Sequence, residues 1–294
     1  MKRIVTIQDI SAVGKCSLTV ALPIISAMGV ETAVIPTAVL STHTAFSGFT
    51  FHDLTGEIAP IADHWAAQKI GFDAIYTGYL GSFEQLELVS SFIDRFGKDS
   101  SRPCLTVIDP VMADNGKLYV GFTEEFAAEM AKLCSKADVI VPNLTEACYM
   151  LGIPYPENGK CPVEMAKQIA RDLTSLGCRY AVLTGMSTRP GYLGVVCYDK
   201  EQDRYYSYEN IHHPVSFHGT GDVFSSALVG GLMQGHGIES ALDIAVDYTC
   251  QTIKVTMEDP DHMWYGVNFE TAIPDLIDLM KEKQAKPEAK GRYL

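Results

Sequence analysis

Positive charge is scarce in this chain and nowhere concentrated before its end. Lys and Arg number 23 against 36 Asp and Glu, for a net charge of −13. Nucleic acids and anionic lipid surfaces are bound by clustered Lys and Arg, so neither is an expected partner. No apolar run approaches the ~20 residues that span a bilayer, and the opening MKRIVTIQDI is too short in apolar character for a signal peptide. The eight cysteines (Cys16, Cys104, Cys134, Cys148, Cys161, Cys178, Cys197, Cys250) include no CxxC pair. That removes the zinc-ribbon and thioredoxin signatures and leaves a cytoplasmic protein with reduced thiols as the expectation. A Pro/Gly/Ser-rich linker, a repeat of fixed period and the phosphate-binding pattern GxxxxGK[ST] are also missing. Ala12-Val13-Gly14-Lys15 resembles the end of that pattern but lacks its leading glycine.

What is present is a core-forming composition, 47% hydrophobic and 20% charged, which rules out a disordered chain. Apolar runs of strand length alternate with helical patterns. Strands are expected at residues 3–7, 31–36, 74–77, 104–108, 138–141 and 180–184. Helices are expected at 15–28, around Trp65, and at 84–96, 123–133, 163–176, 220–234 and 238–256. A polar turn is expected at 8–11, and a hairpin at 193–198 and 204–208. Strands alternating with helices predict an α/β fold in three layers, α/β/α, with a mainly parallel central sheet. Residues 1–280 read as a single domain, and the charged segment 281–294 as a frayed tail.

One segment carries chemistry on its own. Phe217-His218-Gly219-Thr220-Gly221-Asp222 stands directly before the helical pattern of Val223, Phe224, Ala227, Leu228 and Leu232. Glycines let a backbone approach a ligand and expose its N–H groups. At a helix start those groups, with the helix dipole, favour an anion. Asp222 in the same first turn could take a proton from an alcohol while the amides of Gly219, Thr220 and Gly221 hold phosphate oxygens. The plainer alternative is a glycine turn with an acid that favours the helix dipole.

This GTGD segment, late in a chain of βα units, resembles the C-terminal signature of the ribokinase superfamily. Six further segments resemble its pyridoxal kinases. Gln8-Asp9-Ile10 stands where the family's first turn covers a pyridine ring, with Asp9 in the place of a frequent Ser. Ser41-Thr42-His43-Thr44, with Phe46 behind, is similar to the family's S-N-H-T-G-Y. Tyr76-Thr77-Gly78-Tyr79 is similar to L-T-G-Y, and Asp109-Pro110-Val111-Met112-Ala113-Asp114, followed by Gly116 and Tyr119, to D-P-V-M-G-D. Asn143-Leu144-Thr145-Glu146 is similar to N-x-x-E, and Val182-Leu183-Thr184-Gly185 ends a strand where the family contacts nucleotide phosphate.

The resemblance implies an ATP-dependent kinase acting on the 5′-hydroxymethyl group of pyridoxal, pyridoxamine or pyridoxine. Asp222 would be the base, with Gly219, Thr220 and Gly221 as the anion hole. It places Asp9, His43, Thr44, Tyr79 and Asp222 at the substrate, and Asp109, Asp114, Tyr119, Asn143, Glu146, Thr184 and Thr220 at ATP. Mg²⁺ would lie near Asp109 and Glu146. It also implies a homodimer and assistance from K⁺ or another monovalent cation. Read without the resemblance, Asp9 is equally a turn acid, His43 a structural histidine, Tyr79 a core residue, and Thr145 a helix cap with Glu146 beside it. Hydroxymethylpyrimidine kinases share the DPVM-like and GTGD-like segments and remain an alternative, as does a non-catalytic B6 carrier.

Overall fold

The computed structural model describes residues 1–98, 103–187, 190–213, 215 and 217–285. Its main sheet has nine strands in the order β11-β10-β9-β8-β5-β4-β1-β2-β3. Strands β1 (Arg3–Ser11), β2 (Glu31–Leu40), β4 (Ala74–Thr77), β5 (Leu105–Ile108), β8 (Val139–Ile140) and β9 (Tyr180–Met186) run parallel. Antiparallel strands close both sides. These are β3 (Phe51–Asp53) beside β2, and the hairpin of β10 (Tyr192–Asp199) and β11 (Arg204–Ile211) beside β9. A small hairpin, β6 (Ala113–Asp114) with β7 (Lys117–Leu118), stands apart.

Alternation along the strands divides the core in two. Val5, Ile7, Ile75 and Ile108 face one side, where α2 (Thr55–Ala67), α3 (Phe83–Ile93), α4 (Glu124–Cys134), α5 (Leu144–Leu151) and α6 (Val163–Leu173) pack. Ile4, Ala74, Tyr76 and Val107 face the other, under α1 (Leu18–Ala27), α7 (Thr220–Met233), α8 (Ile238–Glu258) and α9 (Ile273–Ala285). Buried on both faces, the central strands β4 and β8 are mostly apolar, while β1 also buries Thr6, Gln8, Asp9 and Ser11. This is the α/β/α arrangement the alternation predicts. Among the described residues no helix is long and apolar enough to cross a membrane.

Four local expectations are corrected. Residues 8–11 are not a turn: β1 runs on to Ser11, with a register shift against β2 between Gln8 and Ile10. The polar letters misled because these side chains are buried and satisfy one another within the strand, Gln8 Nε2 donating to Thr6 Oγ1 at 2.7 Å and Ser11 Oγ to Asp9 Oδ2 at 3.1 Å. The first helix starts at Leu18 rather than residue 15, because Lys15 (φ 50°) and Ser17 (φ 52°) lie in the left-handed region. β2 passes Pro36 and reaches Leu40. Pro36 pairs with Gln8 at the edge of that register shift, where a missing N–H is tolerated. The charged end is helical as far as Ala285, since α9 lays Leu276 into the core and Lys283 Nζ meets Asp243 Oδ2 of α8 at 2.9 Å. Residues 286–294 lie outside the described residues.

Candidate active site

The carboxyl ends of β1, β4, β5, β8 and β9 form one rim, where open parallel sheets bind ligands. Main-chain bonds fix that rim across the strands. Gly78 N–H donates to Ile7, Asp109 to Thr77, Val141 to Ile108 and Thr184 to Pro142, at 3.0–3.2 Å. The sequence segments singled out above therefore converge although they are far apart in the chain.

The start of α7 closes over this rim. Its N-cap, Gly219, has φ +80°, and a β-carbon there would lie 2.0 Å from the Lys15 carbonyl oxygen. Only glycine allows the turn at 12–17 to press so closely on the helix. Among the described residues no side chain caps α7, and its first bond runs from Val223 N–H to Gly219 O at 2.9 Å. The amides of Thr220, Gly221 and Asp222 thus keep the unsatisfied donors of a helix start, which suit an anion. Gly221 has ordinary helical geometry, and a β-carbon there would meet nothing within 4 Å. The fold itself does not require this glycine. Thr220 Oγ1 donates to Phe217 O at 3.2 Å and fixes the approach to the helix.

Asp222 is half-buried and accepts the Ser17 amide on Oδ2 at 3.0 Å. That bond explains the unusual backbone of the 12–17 turn, which must aim an N–H inward. Burial pushes Asp222 up to about 6, and the charge of Asp9 adds to the effect, against the Ser17 bond. An acid of that kind is ionised at neutral pH and still basic enough to accept a proton.

Asp109 and Glu146 form a second acidic pair. Asp109 is 7% exposed and accepts the Ser225 hydroxyl on Oδ2 at 2.7 Å. Glu146, 3% exposed, accepts Met112 N–H at 3.1 Å and Asn143 N–H at 2.8 Å. Burial raises both acids; Asp109 feels Asp222 as well, and Glu146 feels Asp109. Two buried carboxylates with no cation bonded to either make a place for a proton or a metal ion.

Asn143, not Thr145, caps α5. Its Oδ1 accepts Glu146 N–H at 3.0 Å, completing a capping box, and its Nδ2 donates to Ala113 O at 2.8 Å. Thr145 Oγ1 instead accepts Gly116 N–H at 3.0 Å. Both side chains hold the β6–β7 hairpin against α5. Asp114, at the tip of that hairpin, is exposed and binds Asn115. Tyr119 is 42% exposed. Burial raises its phenol, helped by the charges of Glu146, Asp114, Asp109 and Asp222. Thr184 pairs with Asn143 in an isolated parallel bridge.

On the other side of the cleft, Asp9 is 5% exposed and accepts Ser11 Oγ at 3.1 Å. Burial raises it, against the hydroxyls of Ser17 and Ser11 and the nearby His43. It is a buried strand residue, not a solvated turn acid. Tyr79 is half-buried, its ring 5.7 Å from Phe122, and its phenol is raised by burial and by Asp9. His43 is less available than the motif suggests. Its Nδ1 accepts Ala45 N–H at 3.1 Å, which leaves Nε2 as the donor to Tyr265 O at 3.0 Å. Both ring nitrogens are taken by main chain. The ring instead joins an aromatic group with Phe46, His218 and Trp264. Thr44 is exposed beside it.

Ser11, Ser17, Ser225 and Tyr265 were not singled out from the sequence. Ser17, Ser225 and Tyr265 act through a partner distant in the chain or through main chain, and no local pattern marks such a contact; Ser11 meets Asp9 two residues away. A cavity of about 590 Å³ between β11 and α8, lined in part by Asn210, His213, Asp247 and Lys254, also carries no motif. It adjoins the segment leading to α7 and does not include Asp222.

Known proteins share this arrangement. A Bacteroides thetaiotaomicron protein of the phosphomethylpyrimidine kinase type, solved with pyridoxal, is 38% identical with a TM-score of 0.88, covering 100% of this chain and 99% of that one. Pyridoxal kinase from Lactobacillus plantarum is 28% identical with a TM-score of 0.84, over 96% and 99% of the two chains. A pyridoxine/pyridoxal/pyridoxamine kinase of Bordetella avium is 27% identical over 266 residues, covering 86% of this chain and 85% of that protein. A family model described as phosphomethylpyrimidine kinase matches residues 22–264, from within α1 to beyond α8, and the chain therefore belongs to the phosphomethylpyrimidine kinase family.

Proposed function

We propose that this chain is an ATP-dependent kinase that phosphorylates the 5′-hydroxymethyl group of pyridoxal, pyridoxamine or pyridoxine. The observation that carries this reading is the start of α7, where an uncapped glycine turn exposes amides beside a carboxylate raised to about 6. The 5′-hydroxyl approaches Asp222, which takes its proton as the oxygen attacks the γ-phosphorus, and the phosphate oxygens lie on the amides of Gly219, Thr220 and Gly221. The Ser17 amide holds the Asp222 carboxylate in place. Catalysis rests on positioning and charge, since phosphoryl transfer asks little covalent chemistry of the protein.

Mg²⁺ fits the Asp109–Glu146 pair. Ser225 binds one Asp109 oxygen and leaves the other without a partner among the described residues, while both Glu146 oxygens accept main-chain amides. Asp109 would hold the ion and Glu146 would act through water. Mg²⁺ keeps several waters and needs only one or two carboxylates beside phosphate, which agrees with the lack of any three-residue metal cluster among the described residues. Bound there, the ion supplies neutralisation of phosphate charge.

Asp9 and Tyr79 face the pyridine ring, with His43 holding the wall behind Thr44. Asp114, Tyr119, Asn143 and Thr184 border the nucleotide. The cavity beside β11 is of a size that suits the nucleoside, since ligand sites run to ~300–1,000 Å³. Eight free cysteines, several of them buried, suit a reducing cytoplasm. A homodimer and stimulation by K⁺ complete the reading.

The family's description, phosphomethylpyrimidine kinase, and a 24% identical Bacillus subtilis relative described as a hydroxymethylpyrimidine/phosphomethylpyrimidine kinase support a second substrate, hydroxymethylpyrimidine. ADP release from MgATP, measured with pyridoxal, pyridoxamine, pyridoxine and hydroxymethylpyrimidine in turn, tests both. Turnover on the three B6 alcohols is expected. Turnover on the pyrimidine alone would replace the first reading with the second, and binding of B6 without ADP release would make the chain a carrier.

A further inference from the structure

We propose that His218 is a phosphate-holding residue of this site, taking up a proton when a phosphoryl group occupies the start of α7. The inference rests on the kinase reading above and adds a residue that no motif assigns. His218 directly precedes Gly219, so its ring is carried by the same turn that presents the amides. The ring is exposed, packs 4.7 Å from that of His43, and has no hydrogen bond to either nitrogen among the described residues.

Other nearby basic groups are committed elsewhere. His43 has both nitrogens on main chain. Lys15, whose carbonyl abuts Gly219, directs its ammonium away to Glu270 at 2.9 Å and Asn268 at 3.2 Å. The titratable groups whose charge reaches His218 are His43, from the loop after β2, and Asp114, from the β6–β7 hairpin. Burial and His43 hold the imidazole below its ordinary range, while Asp114 pulls the other way. With the site empty the ring is therefore largely neutral near pH 7. A phosphate dianion brought against it favours the charged form, and the imidazolium then donates a charge-assisted hydrogen bond to a phosphate oxygen. The proton comes from solvent and returns there when the ester leaves.

Binding of pyridoxine 5′-phosphate, an ester without an aldehyde to react with lysines, tests this at pH 6 and pH 8 without nucleotide. Asp222 repels the same phosphate as pH rises, so the diagnostic quantity is the difference between variants. His218→Gln should bind the ester about tenfold more weakly than wild type at pH 6, the effect of one hydrogen bond to a charged group, and nearly equally at pH 8. His218→Lys should restore tight binding at pH 6 and retain it at pH 8. Pyridoxine itself should bind all three proteins alike. The inference is overturned if His218→Gln follows the wild-type curve at both pH values, or if pyridoxine binding falls as much as that of its ester. Should either variant fail to fold, the other still gives the comparison. Wild-type protein that binds pyridoxine but releases no ADP from MgATP would refute the kinase reading; normal turnover with indifferent His218 variants would refute only this inference.

Discussion

Replacing Gly221 by alanine adds one methyl group at a position where the protein offers no obstacle. A β-carbon there meets no atom within 4 Å, and the residue lies in the first turn of α7 with ordinary helical geometry. Alanine is the better helix former by about 0.5–1 kcal/mol, so the variant should unfold at the wild-type temperature or about 1–3 °C higher. The same methyl intrudes on the space from which an anion would reach the exposed amides. Displacing an anion from one donor of this kind lowers turnover by about 10²-fold. The assay pairs calorimetric unfolding with ADP release on pyridoxal. Gly219→Ala is the contrast. There a β-carbon would meet the Lys15 carbonyl oxygen at 2.0 Å with φ at +80°. The left-handed backbone alone costs about 1–2 kcal/mol, so stability and activity should fall together. A Gly221→Ala protein with full turnover would show that no phosphate approaches these amides, and the reasoning about α7 would fail.

Asp222→Asn should cut turnover by ~10²–10⁴, the contribution of a positioned base, and the wild-type rate should fall as pH drops below about 6, where Asp222 gains its proton. Because its folded pKa is raised, the folded state binds that proton more tightly than the unfolded chain does, and the associated stability is lost as pH rises through about 6. Asp222→Asn should therefore be at least as stable as wild type at pH 8, with the advantage disappearing in acid; calorimetry across that range checks the sign. Asn143→Ala removes the α5 cap and the bond to Ala113 O; it should cost at least about 1 kcal/mol in a urea titration. Tyr76 is fully buried and its hydroxyl meets no hydrogen-bond partner in good geometry among the described residues; Tyr76→Phe should leave stability unchanged or raise it, because an unmet buried hydroxyl is itself unfavourable, and a clear loss in the same titration would contradict that account.

Much of the fold was legible because buried parallel strands and amphipathic helices leave strong patterns. The strands at residues 3–7, 31–36, 74–77 and 104–108 were placed from apolar runs and punctuation alone, whereas the short edge strand Phe51–Asp53 was not. Errors arose where polar residues are held in regular structure by partners, near or far, that no local pattern shows. Asp9 and Ser11 look like turn residues, yet they lie in β1, where Ser11 Oγ and the nearby Ser17 hydroxyl meet the Asp9 carboxylate. The end of the chain looks frayed by composition, but α9 packs Leu276 against α8 and pairs Lys283 with Asp243. His43 stands in a recognisable motif, and nothing local reveals that Tyr265, 222 residues away, takes its Nε2–H.

By itself the sequence determined the layer architecture and the one local device of the site, a glycine turn leading into a helix with an acid in its first turn. Both are encoded in residues adjacent in the chain, through periodicity and backbone freedom. Tertiary structure alone decided the electrostatics. Ser17 binds Asp222 across 205 residues and Ser225 binds Asp109 across 116, and burial raises Asp222, Asp109 and Glu146 together. A carboxylate's proton affinity depends on how much water is removed and which charges are brought near, and only folding sets either.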